Sequence, residues 1–378
     1  MRLTPLLWIC CSFAAIAVAG FGGWLLSLPA RSSVVPAPEI SREESEAALA
    51  ALKPRKRVRP LIAIAGRNSA TETNDYLIPY GILKRSGAAD VVLLATEPGP
   101  VNLYPALKVE SQATTAQFDA QHPGGADYVI VPAMSQDEDA AVLRWIRRQA
   151  ELDATIIGVC AGAKILASAG LLDHKRATTH WYYIGKMTKT AKTASYVADR
   201  RFVVDGRIAT TTGITASIPM MLTLVEAIAG RERAESTGRS LGVGQWSARH
   251  ASSAFQQTRR FTLTVMGNVL GFWRKEQLGI HLTPGIDEVA LGLVADAWSR
   301  TYRSHAVTFA SKPGAVETRN GLRIIPDRVD PGMPQERILP ALNDRLPAAA
   351  LEDALRDIEA RYGRDTAEAV AMQLEYAR

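Results

Sequence analysis

The chain is 378 residues long, 47% hydrophobic and 22% charged, with a formal charge of +6. These values exclude disorder over most of its length and leave room for two globular units, or one large core with an appendage. The basic excess is partly local: Lys53, Arg55, Lys56, Arg57 and Arg59 cluster with no acid between Glu46 and Glu72, which reads as a solvated linker, with a lipid-surface contact as the competing reading.

In chain order, residues 1–30 differ in kind from the rest. No charge lies between Arg2 and Arg31, and "LLWICCSFAAIAVAGFGGWLLSL" supplies the roughly twenty apolar residues that cross a hydrocarbon core as a helix. Trp8 and Trp24 suit the two interfaces, while Gly22 and Gly23 weaken the helix. The expectation is a transmembrane anchor, holding a single-pass protein in a bacterial-type inner membrane through residues 3–29, with the side of the soluble part open. A secretory signal is the competing reading.

Residues 31–56 are rich in Pro, Ser and charge and read as a linker. From residue 57 to 246 short apolar runs alternate with helical patterns. "LIAIAG", "DVVLLA", "ADYVIVPA" and "ATIIGV" read as strands, and "DYLIPYGILKRSG" and "DEDAAVLRWIRRQAEL" as helices, the first stopped by Gly87. Strands apolar on both faces that alternate with helices imply an α/β fold, a doubly wound parallel sheet, in which ligands sit at the carboxyl ends of the strands.

Cys10 and Cys11 lie in the first apolar segment, so Cys160 stands alone in the remainder. That count allows neither an intrachain disulfide nor a cysteine-based zinc site there. Gly158, Cys160 and Gly162 form a G-x-C-x-G pattern at the point where an apolar strand turns into the small-residue helix "AGAKILASAG". Small neighbours suit a nucleophile on a strained strand-to-helix turn, and the unpaired amides of a helix start favour a thiolate. A small buried apolar residue is the bland reading of the same cysteine.

"GVCAGAKILASAGLLDHKRATTHW", together with "DYLIPYG", "GADYVIVP" and "DGRIATTTGITASIPMMLTLVEAIAGRERAE", resembles the ThiJ/PfpI family of the class I glutamine amidotransferase-like superfamily. The resemblance runs from about Leu61 to Leu241 and lies closest to the branch of isocyanide hydratases and the amino-terminal domains of AraC-type regulators. It implies a flavodoxin-like fold with Cys160 as the reactive thiol. It places Asp75 as the carboxyl beside that thiol, with Glu72 in reserve, and His180 as a general acid or base near it. A helix-start acid and a loop-bonding histidine are their bland alternatives; His174, in a polar turn, reads as solvent-facing. The amide of Ala161, just after the nucleophile, is a donor for oxyanion charge. The second donor of most relatives comes from a Pro-Gly-Gly turn, where this chain has Pro132, Ala133 and Met134; the amide of Ala133 takes that place only if the turn tolerates the lost glycines.

Residues 95–109 align without a gap on 310–324, and 225–241 on 358–374. The expectation is a connector over 247–280 and a truncated α/β lobe over 281–378, a degenerate partial repeat without the middle that carries Cys160 and His180. Such a lobe is expected to pack on the first as an intrachain pseudo-dimer partner. Two functions follow: thiol chemistry on a small-molecule electrophile, of amide, isocyanide or α-ketoaldehyde type, or a redox or ligand sensor that uses Cys160 oxidation. Neither requires a cofactor or metal. No basic recognition helix follows the α/β unit, so no nucleic-acid partner is expected.

Overall fold

In the computed structural model, which describes residues 18–32, 34–329 and 332–377, the apolar runs of the first half become a twisted sheet buried on both faces. Helix α1 spans 18–27 and α2 Arg42–Ala51. Then follow β1 (Leu61–Ile64), β2 (Ser69–Glu72), α3 (Thr73–Ser86), β3 (Asp90–Ala95), β4 (Pro100–Tyr104), β5 (Lys108–Glu110), β6 (Ala113–Thr114) and α4 (Thr115–Gln121). The next elements are β7 (Tyr128–Val131), α5 (Ala140–Glu151), β8 (Thr155–Gly158), α6 (Gly162–Ser168), β9 (Arg176–Ala177), α7 (Ile184–Thr190) and β10 (Ser195–Tyr196). The first half closes with β11 (Phe202–Asp205), β12 (Ile208–Thr211), α8 (Ser217–Ala229) and α9 (Arg231–Leu241).

The main sheet has the order β11-β12-β8-β7-β1-β3-β6, parallel except for the β11–β12 hairpin. β1, β7 and β8 are buried along their whole length, as strands covered by helices on both sides must be. Each face has its own apolar cluster, α3 and α8 on one side and α5 and α6 on the other. Gly87 ends α3 in the left-handed region at φ 66°, where a Cβ would be strained. α5 buries Val142, Leu143, Trp145 and Ile146 against the sheet and starts at Asp139, which accepts from the amides of Ala141 and Val142.

The second half contains α10 (Arg259–Leu270), β13 (Glu276–His281), α11 (Glu288–Ser299), β14 (Ser304–Ala310), β15 (Val316–Glu317), β16 (Arg323–Ile324), β17 (Arg328–Val329), α12 (Pro347–Tyr362) and α13 (Arg364–Leu374). β13, β14 and β17 make a small parallel sheet, and β15-β16-β5-β4-β2 a sheet shared by both halves. α11 lies against α3, and both helices use glycine to come close. A Cβ on Gly81 would stand 2.4 Å from Val289 Cγ2, and one on Gly292 2.7 Å from Asn74 Oδ1.

Two expectations change. Among the described residues no helix is long and apolar enough to cross a membrane. This overturns the single-pass inner-membrane localisation and leaves the anchor without support; of the expected contact through residues 3–29, residues 3–17 lie outside the described residues. The described part of α1, residues 18–27, covers about half of the roughly twenty residues a span needs, and the chain just after it is fixed to the fold by Arg259, which donates to the carbonyls of Leu28 and Pro29; residues 1–17 lie outside the described part. The stretch expected as a linker is also not a free tether. α2 docks through Leu52, which is fully buried and accepts a 2.7 Å hydrogen bond from the Tyr128 hydroxyl. The basic cluster is tied down: Lys56 donates to the carbonyls of Gly124, Ala126 and Leu152, Arg57 pairs with Asp127 at 2.6 Å and Arg59 with Asp90 at 2.7 Å.

Candidate functional site

β8 delivers the chain to the carboxyl edge of the sheet, and it must turn at once into α6. The turn is made at Cys160, a non-glycine residue at φ 54°, a conformation that costs on the order of 1–3 kcal/mol and persists only where its surroundings impose it. The flanking glycines give the reason. A Cβ on Gly162 would sit 2.0 Å from the carbonyl oxygen of Val131, and one on Gly158 3.1 Å from the amide of Ala163. Two threonines brace the bend: Thr211 Oγ1 accepts from the Cys160 amide at 2.9 Å, and Thr179 Oγ1 donates to the Cys160 carbonyl at 3.0 Å.

Beside the elbow lies a buried set of three carboxyls and one guanidinium. Asp75, in the first turn of α3, is fully buried; its Oδ2 accepts from the Ala133 amide at 3.0 Å, and no hydrogen bond reaches its Oδ1. Glu72 caps α3 through a 2.6 Å bond from the Asp75 amide and accepts from Arg300 Nη2 at 2.7 Å. Arg300 Nε reaches Asp296 at 2.6 Å, and Asn74 donates to the other oxygen of Asp296. Burial lifts the Asp75 carboxyl to about 7, offset only in part by the Ala133 N–H and by Arg300. Burial, with the charges of Asp75 and Asp296, raises Glu72 as well. With one cation among three carboxyls, at least one proton stays in the cluster near neutrality.

The thiol itself departs from the expected thiolate. Burial pushes Cys160 up, and the carboxylates of Asp75, Glu72 and Glu375 add to this, opposed by Arg300. α6 is seven residues long with an uncapped start at Ala161, so its dipole is a small counterweight to three acids. Of the two, Asp75 is the first to ionise, so near neutrality a protonated thiol stands near a carboxyl that is partly ionised.

Cys160, Ala161, Ala133 and His180 line one cavity of about 560 Å³, with Met134, Tyr183 and Arg300 among its other walls. Asp75 lies beneath this surface and joins it through Ala133. The amide of Ala133, expected as an oxyanion donor, is taken by Asp75. His180 is engaged through both ring nitrogens: Nδ1 accepts from the Tyr182 amide at 3.2 Å, and Nε2 faces the Gln373 carbonyl at 3.0 Å, which sets the neutral Nε2–H tautomer. Burial lowers its affinity for a second proton. His174 is exposed.

Sequence reasoning missed Arg300, Gln373 and Glu375. Glu375 is buried and left-handed at φ 50°; it accepts from the Trp181 amide at 2.7 Å and faces His250 at 3.2 Å. Burial alone would raise its carboxyl, but His250, His180 and that amide hold it at about 2. These residues lie more than a hundred positions from Cys160, and of the three only Gln373 falls within the alignment of 358–374 with 225–241.

Residues 61–227 match the model of the DJ-1/PfpI family. The chain is similar to an isonitrile hydratase of Pseudomonas putida, 35% identical over 161 residues, covering 42% of this chain and 67% of that protein. It is also similar to an HTH-type transcriptional regulator of Pseudomonas aeruginosa, 32% identical over 121 residues, which is 32% of this chain and 36% of the regulator. Among solved structures, a DJ-1 superfamily protein from Salmonella typhimurium aligns at 20% identity with a TM-score of 0.44, covering 49% of this chain and 100% of that one.

Proposed function

The chain belongs to the DJ-1/PfpI family, and from there we propose that it is a cysteine-dependent hydratase acting on a small neutral electrophile, an isocyanide before an amide or an α-ketoaldehyde. The observation that carries this is the Asp75 carboxyl, buried with one oxygen bonded to Ala133 and the other free of hydrogen bonds. A carboxyl poised near neutrality beside a thiol can take the thiol proton and return it in one site.

On this reading Asp75 accepts the Cys160 proton as sulfur forms a bond to the terminal carbon of the isocyanide. The proton passes from Asp75 to that carbon, leaving a thioimidate. Water then adds to the carbon, its hydroxyl to carbon and its other proton to nitrogen, and the adduct collapses to an N-substituted formamide as the C–S bond breaks and the hydroxyl proton returns, through Asp75, to the departing sulfur. Attack on an isocyanide develops charge on carbon and nitrogen rather than on a carbonyl oxygen. It therefore does not need the Ala133 amide that an amide substrate would require as a second oxyanion donor. Ala161 remains the one amide of the turn suited to that role. His180, with both nitrogens bound to main chain, positions the loop over the cavity. Trp181, Tyr182, Tyr183 and Phe261 also line the cavity, and such an aromatic wall suits an apolar substituent.

The isonitrile hydratase of Pseudomonas putida supports the choice of substrate by likeness alone. The redox-sensor alternative gains nothing from the geometry, because a buried thiol held protonated by its surroundings is a poor target for oxidants. The test is formamide production from a panel of alkyl and aryl isocyanides by the full chain and by Cys160→Ser. Turnover by the wild type alone supports the reading; equal rates overturn it.

A further inference from the structure

Two ion pairs in the molecule are mirror images in sequence. Arg300 Nη2 donates to Glu72 at 2.7 Å, and Arg85 Nη2 donates to Asp287 at 2.5 Å. Glu72 caps the start of α3 and Asp287 that of α11; Arg85 lies in the last turn of α3 and Arg300 caps the end of α11. One shift of residue number, 72 to 287 and 85 to 300, relates both pairs. The same shift carries Gly99 onto Gly314, both at φ 110°, and Val109 onto Ile324. Those last two residues pair with each other where β5 meets β16 antiparallel. A residue that meets its own counterpart in an antiparallel pair lies on a two-fold axis, the arrangement of an isologous subunit interface. Farther along, Gly230 and Gly363 join α8 to α9 and α12 to α13 with φ 86° and 89°, and the pairs Arg231–Glu235 and Arg364–Glu368 recur at 2.8 and 2.7 Å.

We infer that residues 276–375 act as a built-in, shortened second subunit, and that its Arg300 is a positioning residue of the Cys160 site, clamping Glu72 and Asp296 so that Asp75 and the sulfur keep their arrangement. The symmetry holds for one arm of the clamp, is broken for the other, since the shift places Gly81 opposite Asp296, and is broken in the chemistry. The shift places Ala290 opposite Asp75, and no cysteine follows Cys160, so the Arg85–Asp287 pair repeats the Arg300–Glu72 arm with no thiol to serve. The charged and titratable groups that act on the sulfur are Asp75, Glu72, Glu375 and Arg300, with Tyr183 also coupled to it. Lys164 and His180 line the cavity with it. Arg300 alone among them is a cation that reaches two of the carboxyls. Lys164 is held by Asp137 at 3.1 Å.

The inference rests on Cys160 being a reactive thiol, and its test separates the two. Iodoacetamide labelling of the full chain is followed at the Cys160 peptide by mass spectrometry from pH 6 to 10, for wild type, Arg300→Gln, Arg300→Lys and Arg85→Gln. Arg300→Gln is expected to move the labelling midpoint up by about one pH unit, a roughly tenfold loss of rate below it. Arg300→Lys is expected to recover part of that, because an ammonium restores charge but not the bridge to both carboxyls. Arg85→Gln should stay within about twofold of wild type, although it removes an equivalent ion pair. Should Arg300→Gln fail to fold, Arg300→Lys carries the test with an upward shift of about half a unit. An Arg300 variant that titrates like wild type, or an Arg85→Gln shift of the same size, overturns the inference and leaves the thiol reading standing. A wild-type Cys160 that does not label at any pH overturns both.

Discussion

The main-chain amide of Ala133 donates to Asp75 Oδ2 at 3.0 Å, and with the 2.8 Å bond from the Glu72 amide to the Ala133 carbonyl it ties the chain after β7 to the start of α3. The bond to Asp75 orients the carboxyl and leaves Oδ1 without a hydrogen-bond partner. It also occupies the amide expected as the second oxyanion donor.

Replacing Asp75 by Asn should stabilise the protein in alkaline solution while abolishing activity. A carboxyl held at about 7 against an ordinary 3.8 keeps its proton in the fold after the unfolded chain has lost it, so stability falls as pH rises from about 4 to about 7. Asn keeps the acceptor for Ala133 and carries no such penalty. Urea unfolding at pH 8 is expected to show a gain on the order of 2–4 kcal/mol, shrinking toward zero at pH 4. A gain independent of pH would count against burial of an ionisable Asp75.

Glu375 titrates with the opposite sign. Its carboxyl is held at about 2 against 4.5, so the stability it contributes is present above about 4.5 and is lost as pH falls toward 2. Glu375→Gln should cost about 2–3 kcal/mol at pH 7 and less than half of that at pH 3. Equal costs at the two pH values would mean that the carboxylate charge does not matter there.

Gly162→Ala is the severest small change available at the elbow. Its Cβ would overlap the Val131 carbonyl oxygen at 2.0 Å, and main chain cannot yield as a side chain can. A loss above about 3 kcal/mol in urea unfolding is expected; a loss under about 1 kcal/mol would show that the turn is not as tight as described.

Thr211→Val removes the acceptor of the Cys160 amide without changing shape. The expected cost is about 1–3 kcal/mol, together with slower Cys160 labelling because the left-handed turn is less firmly held. Labelling at the wild-type rate would show that Thr211 does not brace the elbow.

Much of the sheet was legible because β1, β3, β7 and β8 are apolar on both faces and bounded by turn residues, a pattern few other structures produce. Cys160 was legible for the same local reason: glycines at 158 and 162 have meaning only in a tight turn. Its thiol chemistry was not, because a helix start favours a thiolate in isolation, whereas burial beside Asp75, Glu72 and Glu375 outweighs it. The apolar run before residue 30 fits the pattern of a span, yet its described part is a ten-residue helix, 18–27, whose following turn bonds Arg259 through the carbonyls of Leu28 and Pro29. Arg300 and Glu375 come from segments that meet the elbow only through the fold, and no local pattern marks either of them.

The most direct test of the central claim is product analysis of a single reaction. The full chain, Cys160→Ser and Asp75→Asn are each incubated with a small alkyl isocyanide at pH 7.5, and the N-alkylformamide is quantified alongside the intact protein mass. The account predicts formamide from the wild type only, with a thioimidate mass on Cys160 when the reaction is stopped early. Formamide produced at the wild-type rate by either variant, or a wild type that forms neither product nor adduct, would contradict it.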